Sequence, residues 1–471
     1  MHKGRTSRKV LLCSLFVSLG LVILLYLGCV IYFSKHFFFH TEINGIDASC
    51  KSSSTVEEQI ADEISTYSLT ITGRNDITET ITAADLGLSY SSNGDVEKRL
   101  QDQNPFLWIT AAFSTDLHEI TNCVTYDPER FTEVCEALAF MQKENTIAPK
   151  NAHIDYIEEE GYQIVKEKLG ATVDKDAYLD AISNAIFNLD TELSLDAADC
   201  YVKPTITSDS QEMQDFYQKV TKYASTCITY EFGKHTETFD ISQIKNCLKI
   251  NNKKLKVSVK EEKVRKFVDK IGSTYNTYGK TRTFKASTGN KVSVSGGDYG
   301  WLLDRDAETK ALTKLIKKGK TKTRKPSYIQ KAARYAKKDW GNTYVEINLT
   351  AQHLWFYKNK KLVIDSDFVS GNVSKGYATP QGVYSLMYRE RDAILGARSN
   401  ADYRTPVDYW MPFNRGIGMH DATWRSKFGG TIYKNAGSHG CINLPHNVAE
   451  TIFNNIETGT PVICYFDPAY E

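Results

Sequence analysis

The chain has 471 residues, 41% of them hydrophobic and 24% charged, with a formal net charge of +1. That is too long for one ordinary core and calls for about two to four domains. The composition excludes a disordered chain, and the near-zero charge gives no reason to expect nucleic acid as a partner.

The N-terminus is the first informative stretch. From Val10 to Ser34 the chain reads VLLCSLFVSLGLVILLYLGCVIYFS without a charge, enough for a helix to cross roughly 30 Å of hydrocarbon. Lys3, Arg5, Arg8 and Lys9 precede it. The positive-inside rule then predicts a cytoplasmic tail (1–9) and a transmembrane helix (10–34) in the lipid bilayer, with everything beyond Lys35 outside, as in a single-pass protein of the cell membrane. A cleaved signal peptide is the competing reading. The apolar run is long for one, and Ser34-Lys35-His36 is a poor cleavage site.

Of the ten cysteines, Cys13 and Cys29 fall in this helix. No CxxC pair or Cys/His cluster has zinc spacing. Cys123, Cys135, Cys200, Cys227 and Cys247 read as small buried hydrophobes, or as partners in a disulfide.

Beyond the membrane segment, SSSTVEEQIADEI predicts a helix with Ser/Thr at its cap and YSLTITG a strand. The block DITETITAADLGLSYSSNGDVEKRL has a loose echo in HTETFDISQIKNCLKINNKKLKVSVKEEKVRKF. Both carry Thr-Glu-Thr, at Thr78–Thr80 and Thr236–Thr238, and both run through a polar turn into a charged helix. Between them, DPERFTEVCEALAFMQ and DKDAYLDAISNAIFNL have helical apolar spacing and acidic starts. Residues 41–310 therefore read as a duplicated region of two α+β modules. From Lys314 to Lys338 no acidic residue occurs. The stretch 311–341 is expected to be a solvated basic linker, with contact to anionic wall polymers or lipid headgroups as the functional alternative.

At Gly341 the pattern changes. YVEINLTAQHLWFYKNKKLVIDSDFVSG predicts three short strands, with Tyr344, Glu346 and Asn348 alternating against Val345, Ile347 and Leu349. ATPQGVYSLMY adds another. Near the end stands GSHGCINLP. A nucleophilic cysteine needs a base or cation, access to substrate, and donors for an oxyanion. His353, His420, His439 and His446 are the histidines of this region. His420 ends an apolar, glycine-containing stretch that reads as a strand. His439, two residues before Cys441, would face the same side in extended backbone. Gly440 leaves the neighbouring amides unshielded. The helix after Pro445 is expected to take Asn447 as its N-cap. His353 and His446 read as surface or packing residues. From spacing alone, a Cys/His catalytic pair and a structural cysteine remain equal readings.

The run MHDATWRSKFGGTIYKNAGSHGCINLP resembles the signature of the L,D-transpeptidase catalytic domain, or YkuD domain: His420, a spacer, then Ser438-His439-Gly440-Cys441-Ile442-Asn443. The opening strands and Thr379, Pro380, Gly382 and Tyr384 are similar to the same family. GIGMH departs from the commoner Gly-Ile-His, and Asn443 stands where many members have Arg. The resemblance covers about 342–466. Upstream, NGIDAS, DLGL and DYGWLLDRDAETKAL resemble, less specifically, the peptidoglycan-binding modules found before this domain in some Gram-positive members.

The resemblance implies a multidomain chain whose C-terminal domain, 342–471, is a mainly-β catalytic sandwich outside a bacterial, Gram-positive cell. Cys441 would attack a tetrapeptide stem of peptidoglycan and release D-Ala. The thioester would pass to an acceptor amine, giving 3→3 crosslinks. His420 would be the base, His439 its helper, and Ser438, Gly440 and Asn443 the substrate or oxyanion contacts. No metal or organic cofactor would be required, and carbapenems would acylate the same cysteine. A sortase would need a downstream Arg, and none follows Arg425. An NlpC-type peptidase would order Cys before His. A wall-binding protein with a degenerate site would show damage to the motif, and all of its residues are present.

Overall fold

The computed structural model describes residues 4–120, 123–396 and 404–470. Residues 1–3 of the expected cytoplasmic tail, Lys3 included, lie outside them. The chain forms two compact units, Met1–His153 with Ile164–Met213, and Ile154–Gln163 with Gln214–Glu471.

The first unit begins with α1 (Gly4–Phe33), so the helix takes in part of the expected tail. It is apolar all round, with Leu11, Leu15, Leu21 and Leu25 each more than half exposed. Among the described residues it is the one helix long and apolar enough to cross a membrane. In α2 (Ser53–Ser65), the Ser52 side chain caps the first turn by accepting from the Thr55 amide, and Val56, Ile60 and Ile64 bury one stripe. Strands β1 (Ser68–Thr72) and β2 (Thr78–Thr82) form a hairpin. A capping box of Thr82 and Asp85 starts the one-turn α3 (Ala83–Leu86). Helix α4 (Lys175–Asn188), capped by Asp174, leads into β3 (Glu192–Ser194), which lies parallel to β1. Leu69, Ile71, Ile81, Val56, Ile60, Tyr178 and Ile182 fill the core.

The second unit opens with the same order of elements. Helix α5 (Gln211–Ala224) precedes the hairpin β4 (Cys227–Phe232) and β5 (His235–Phe239). A capping box of Asp240 and Gln243 starts α6 (Ile241–Cys247). Two further hairpins follow, Leu248–Asn251 with Lys256–Val259 and, beyond the helix Glu261–Tyr275, β6 (Arg282–Lys285) with β7 (Lys291–Val294); then come α7 (Arg305–Lys318), capped by Asp304, and β8 (Thr321–Arg324) parallel to β4. The sheets β3-β1-β2 and β8-β4-β5 share one topology, and the two Thr-Glu-Thr triplets fall on β2 and β5.

The basic stretch is therefore not a linker. Leu312 and Ile316 are buried on α7. Arg324 turns inward and grips the fully buried Glu308 with two bonds, 2.7 and 3.1 Å, while Tyr230 Oη donates to the same carboxylate at 2.6 Å. Periodic apolar positions among the lysines decided the structure; the exposed lysines set only its outer face.

The C-terminal part is a two-sheet sandwich. Strands β9 (Tyr344–Asn348), β10 (His353–Lys358) and β11 (Lys361–Asp367) form at the three expected places. With β12 (Gly382–Ser385) and the last strand, β17 (Pro461–Tyr465), they make a sheet of order β11-β10-β9-β17-β12. The second sheet runs β13 (Glu390–Leu395), β14 (Thr405–Asn414), β15 (Ile417–Asp421), β16 (Ile442–Leu444). Helix α8 (His446–Asn455) starts directly after Pro445, so Pro445, not Asn447, is its N-cap. Proline's fixed φ suits that boundary.

β17 is buried at every position. Val462 and Cys464 join the inter-sheet core with Val345, Ile347, Phe356, Met411 and Ile452. Ile463 and Tyr465, on the opposite face, pack against Phe284, Val292, Val294 and Trp340 from upstream. The face of β9 carrying Glu346 is equally covered. Glu346 is fully buried and accepts from the Ser287 amide and hydroxyl at 2.7 Å each and from Tyr465 Oη at 2.8 Å. A buried pair, Arg282 and Asp339 at 2.7 Å, ties this layer together. The loop after β7 lines the sheet edge, with the Tyr299 amide donating to Val383 O at 2.9 Å. Gly297 sits there at φ +83°, where a Cβ would lie 2.0 Å from Val383 O. The five-stranded sheet of the sandwich is thus closed by residues 282–301 and 339–340, upstream of the boundary expected at 342.

Candidate active site

His420 is the next-to-last residue of β15 and Cys441 stands just before β16, and these strands pair in parallel with His420 opposite Asn443. Strand pairing thus brings the two segments together across the spacer. One cavity of about 480 Å³ is lined by Leu395, Thr405, His420, Trp424, Arg425, Gly437, Ser438, His439, Cys441 and Asn443. Of the six expected site residues, Gly440 alone is not in its wall.

Cys441 is 8% exposed and packs with Ala393, Val407 and Trp410. Its thiol donates to Gly416 O at 3.6 Å. Burial pushes the thiol up to about 11, against the pull of the Gly418 amide beside the sulfur. His420 is 2% exposed. Burial holds its imidazole below the usual histidine value, opposed by its bond to Asp421 O and by the Asp421 carboxylate, while the Arg425 charge lowers it further. Both effects favour a neutral thiol beside a neutral imidazole. Nδ1 of His420 lies 2.7 Å from Asp421 O. A carbonyl can only accept, so Nδ1 carries the hydrogen and Nε2 keeps its lone pair. Trp410 and Trp424 flank the ring, each with centroids 5.9 Å away.

The loop before the cysteine is braced from within. Ser438 Oγ donates to Cys441 O at 2.6 Å and accepts from the Gly440 amide at 3.0 Å. Both bonds fix the shape of the loop. Thr379 Oγ1 donates to Gly440 O at 2.7 Å, giving the Thr-Pro segment a mechanical purpose. Gly440 has φ +118°, a conformation that L side chains rarely adopt. The His439 ring lies 4.6 Å from that of Tyr377. Asn443 is 2% exposed, and its Oδ1 is buried without a hydrogen-bond partner. His446 bonds Asp408 at 2.8 Å and His353 bonds Asp365 and Asp367, so neither enters the cavity. All ten cysteines are free thiols.

Trp424 and Arg425, which fall in the spacer of the motif, also line the cavity. The guanidinium is half-buried, Arg425 Nε has no hydrogen-bond partner, and burial lowers its pKa. The signal available was an Arg five residues beyond a candidate base, with a Trp before it, in a chain that has Asn443 where many members have Arg.

Residues 342–464 match the family described as the L,D-transpeptidase catalytic domain, YkuD. Residues 79–193 and 206–324 each match a family described as "Putative peptidoglycan binding domain". The Enterococcus faecium L,D-transpeptidase, in the crystal structure of a cysteine-to-serine mutant, is 35% identical over 53% of this chain and 98% of that one, with a TM-score of 0.44. The catalytic domain of the E. faecium enzyme acylated by ertapenem, solved by NMR, is 41% identical over 26% of this chain and 97% of its own, with a TM-score of 0.24. A curated relative, probable L,D-transpeptidase 3 of Mycobacterium tuberculosis, is 36% identical over 95 residues, 18% of this chain and 34% of that protein. The match thus spans about a third of the curated relative's length. The chain belongs to the L,D-transpeptidase family. Its C-terminal domain is of the cysteine-dependent class, and it carries peptidoglycan-binding-type sequence upstream.

Proposed function

We propose that this protein crosslinks peptidoglycan outside the membrane through a thioester on Cys441. The observation that carries the reading is the meeting of the Cys441 thiol, the His420 imidazole and the partnerless Asn443 Oδ1 in one cavity wall. In the first half-reaction the sulfur attacks the carbonyl of the third stem residue, and its proton passes to His420 Nε2. The C–N bond to the terminal D-Ala breaks and the leaving amine takes that proton. In the second, an acceptor amine attacks the thioester, the C–S bond breaks, and the thiol is restored. Because the resting pair is neutral, deprotonation accompanies attack. The Cys441 amide is the oxyanion donor of this scheme. His439 orients the acceptor side, and Asn443 Oδ1 takes a substrate N–H. Ser438 and Gly440 hold the loop.

The family's substrates, the ertapenem adduct of the E. faecium domain and the apolar helix support the rest of the proposal. The enzyme acts on stem peptides, is acylated by carbapenems, and is anchored by α1 with its N-terminus in the cytoplasm of a Gram-positive cell. The duplicated region binds glycan or anionic wall polymer, the latter along the exposed lysines of 314–338. Incubation of the full chain with stem tetrapeptides tests this: crosslinked dimers and free D-Ala are expected, whereas tripeptide and D-Ala without dimers would make the enzyme a hydrolase.

A further inference from the structure

In the first unit, between α3 and α4, the chain runs Gln103 to Thr115 without an ionisable side chain: QNPFLWITAAFST. It folds as a 3₁₀ turn, Pro105–Leu107, continuing into a one-turn helix, Trp108–Ala111. Its large apolar side chains point outward. Phe106 is 58% exposed, Leu107 53%, Ile109 48% and Phe113 89%. Such a cluster marks a surface that is covered in use.

Its position says by what. The segment lies against α1: Tyr26 Oη donates to Phe106 O at 2.8 Å, and the Trp108 ring lies 6.0 Å from Tyr26 and 6.1 Å from Phe33. At 1.5 Å per residue, Tyr26 is about 25 Å and Phe33 about 36 Å along the helix from Lys9. A hydrocarbon layer of roughly 30 Å that starts at Val10 ends between them, where Trp and Tyr gather. The backbone is also prepared for a medium without water. Within the segment Phe106 N is bonded to Asn104 Oδ1, Leu107 N to Asn104 O, Ala112 N to Trp108 O and Phe113 N to Thr110 O. The Thr110 hydroxyl donates to Leu107 O at 2.7 Å.

We infer that residues 105–113 are a second membrane contact, an interfacial foot set into the outer leaflet beside α1. The inference rests on the reading of α1 as the anchor. The foot fixes the first unit at the bilayer surface and restricts its rotation about the helix. The occupant is lipid, because the exposed face continues the apolar surface of α1.

The test is photolabelling of the full chain, reconstituted in phosphatidylglycerol–phosphatidylcholine nanodiscs with a diazirine-bearing phospholipid, followed by peptide mass spectrometry. Label is expected both on residues 10–33 and on 105–113. Label on the second segment should fall about tenfold in the Ile109→Glu/Phe113→Glu variant while label on the first is kept. Label on 10–33 alone would overturn the foot and leave the anchor standing. Label on neither would overturn the anchor and the foot together. Protection of 105–113 combined with crosslinks between two copies would assign the face to a second chain and also overturn the inference.

Discussion

The two halves of the duplicated region each carry a three-stranded sheet of the same topology and use it differently. In both, a hairpin, a capped short helix and a returning helix with a parallel strand enclose a small core. The cap residues correspond, Asp174 with Asp304, and so do the positions four residues on. There the first copy has Tyr178, which donates to Cys135 O at 2.9 Å, and the second has Glu308, which receives Arg324, Tyr230 and the Ser327 amide. The larger difference lies between the capped helix and the returning helix. In the first copy that stretch holds the apolar segment beside α1; in the second it holds β6 and β7, which close the outer face of the five-stranded sheet of the catalytic domain. The repeated sheet is a frame, and the specialised work sits in what each copy inserts.

That contrast can be broken or sharpened experimentally. The largest effect belongs to the site the second unit supports: His420→Ala should slow acylation about 10²–10⁴-fold, and His446→Ala hardly at all. Equal losses, measured by single-turnover acylation, would remove His420 as the base. Next comes the second copy's insertion. Phe284→Ala should destabilise the second unit by about 3–5 kcal/mol in denaturant titration. A loss under about 1 kcal/mol would mean that the hairpin merely rests on the sheet. Glu308→Gln leaves Arg324 without its partner and should cost a comparable amount, about 3–5 kcal/mol. The corresponding change in the first copy, Tyr178→Phe, removes one hydrogen bond and should cost about 1 kcal/mol. Similar values for the two would erase the distinction between the copies.

The smallest expected effect is a displacement in pH. Burial lowers His420 from its ordinary 6.5, so the neutral base persists to lower pH. The acid limb of kcat/KM should therefore lie below 6.5. With the thiol at about 11, alkylation of the free enzyme by iodoacetamide should keep rising through pH 9. A plateau near neutrality would indicate a preformed thiolate.

The catalytic strands were legible because period-two alternation and turn residues were both present from Tyr344 to Asp367. The motif around Cys441 was legible because glycine, histidine and cysteine hold a tight spacing there. The brace made by Ser438 was not, since a hydroxyl two or three residues from a cysteine can serve substrate or backbone equally well, and only the bonds to Cys441 O and Gly440 N decide. The cover over Glu346 was hidden because nothing in RTFK (282–285) or KVSV (291–294) signals a sheet that begins more than fifty residues later; their packing against it is a long-range fact. The basic stretch misled because its charges outnumber the buried Leu312 and Ile316 that fix its fold. The apolar run 105–113 was visible as composition, but too short to announce a membrane contact without α1 beside it.

The central claim is that the acyl group is carried by Cys441. Intact-protein mass spectrometry of the full chain, quenched during reaction with a stem tetrapeptide, should show an adduct equal to the peptide less D-Ala. Peptide mapping should place it on Cys441, and Cys441→Ala should show neither adduct nor released D-Ala. Release of D-Ala by that variant at the wild-type rate would contradict the account.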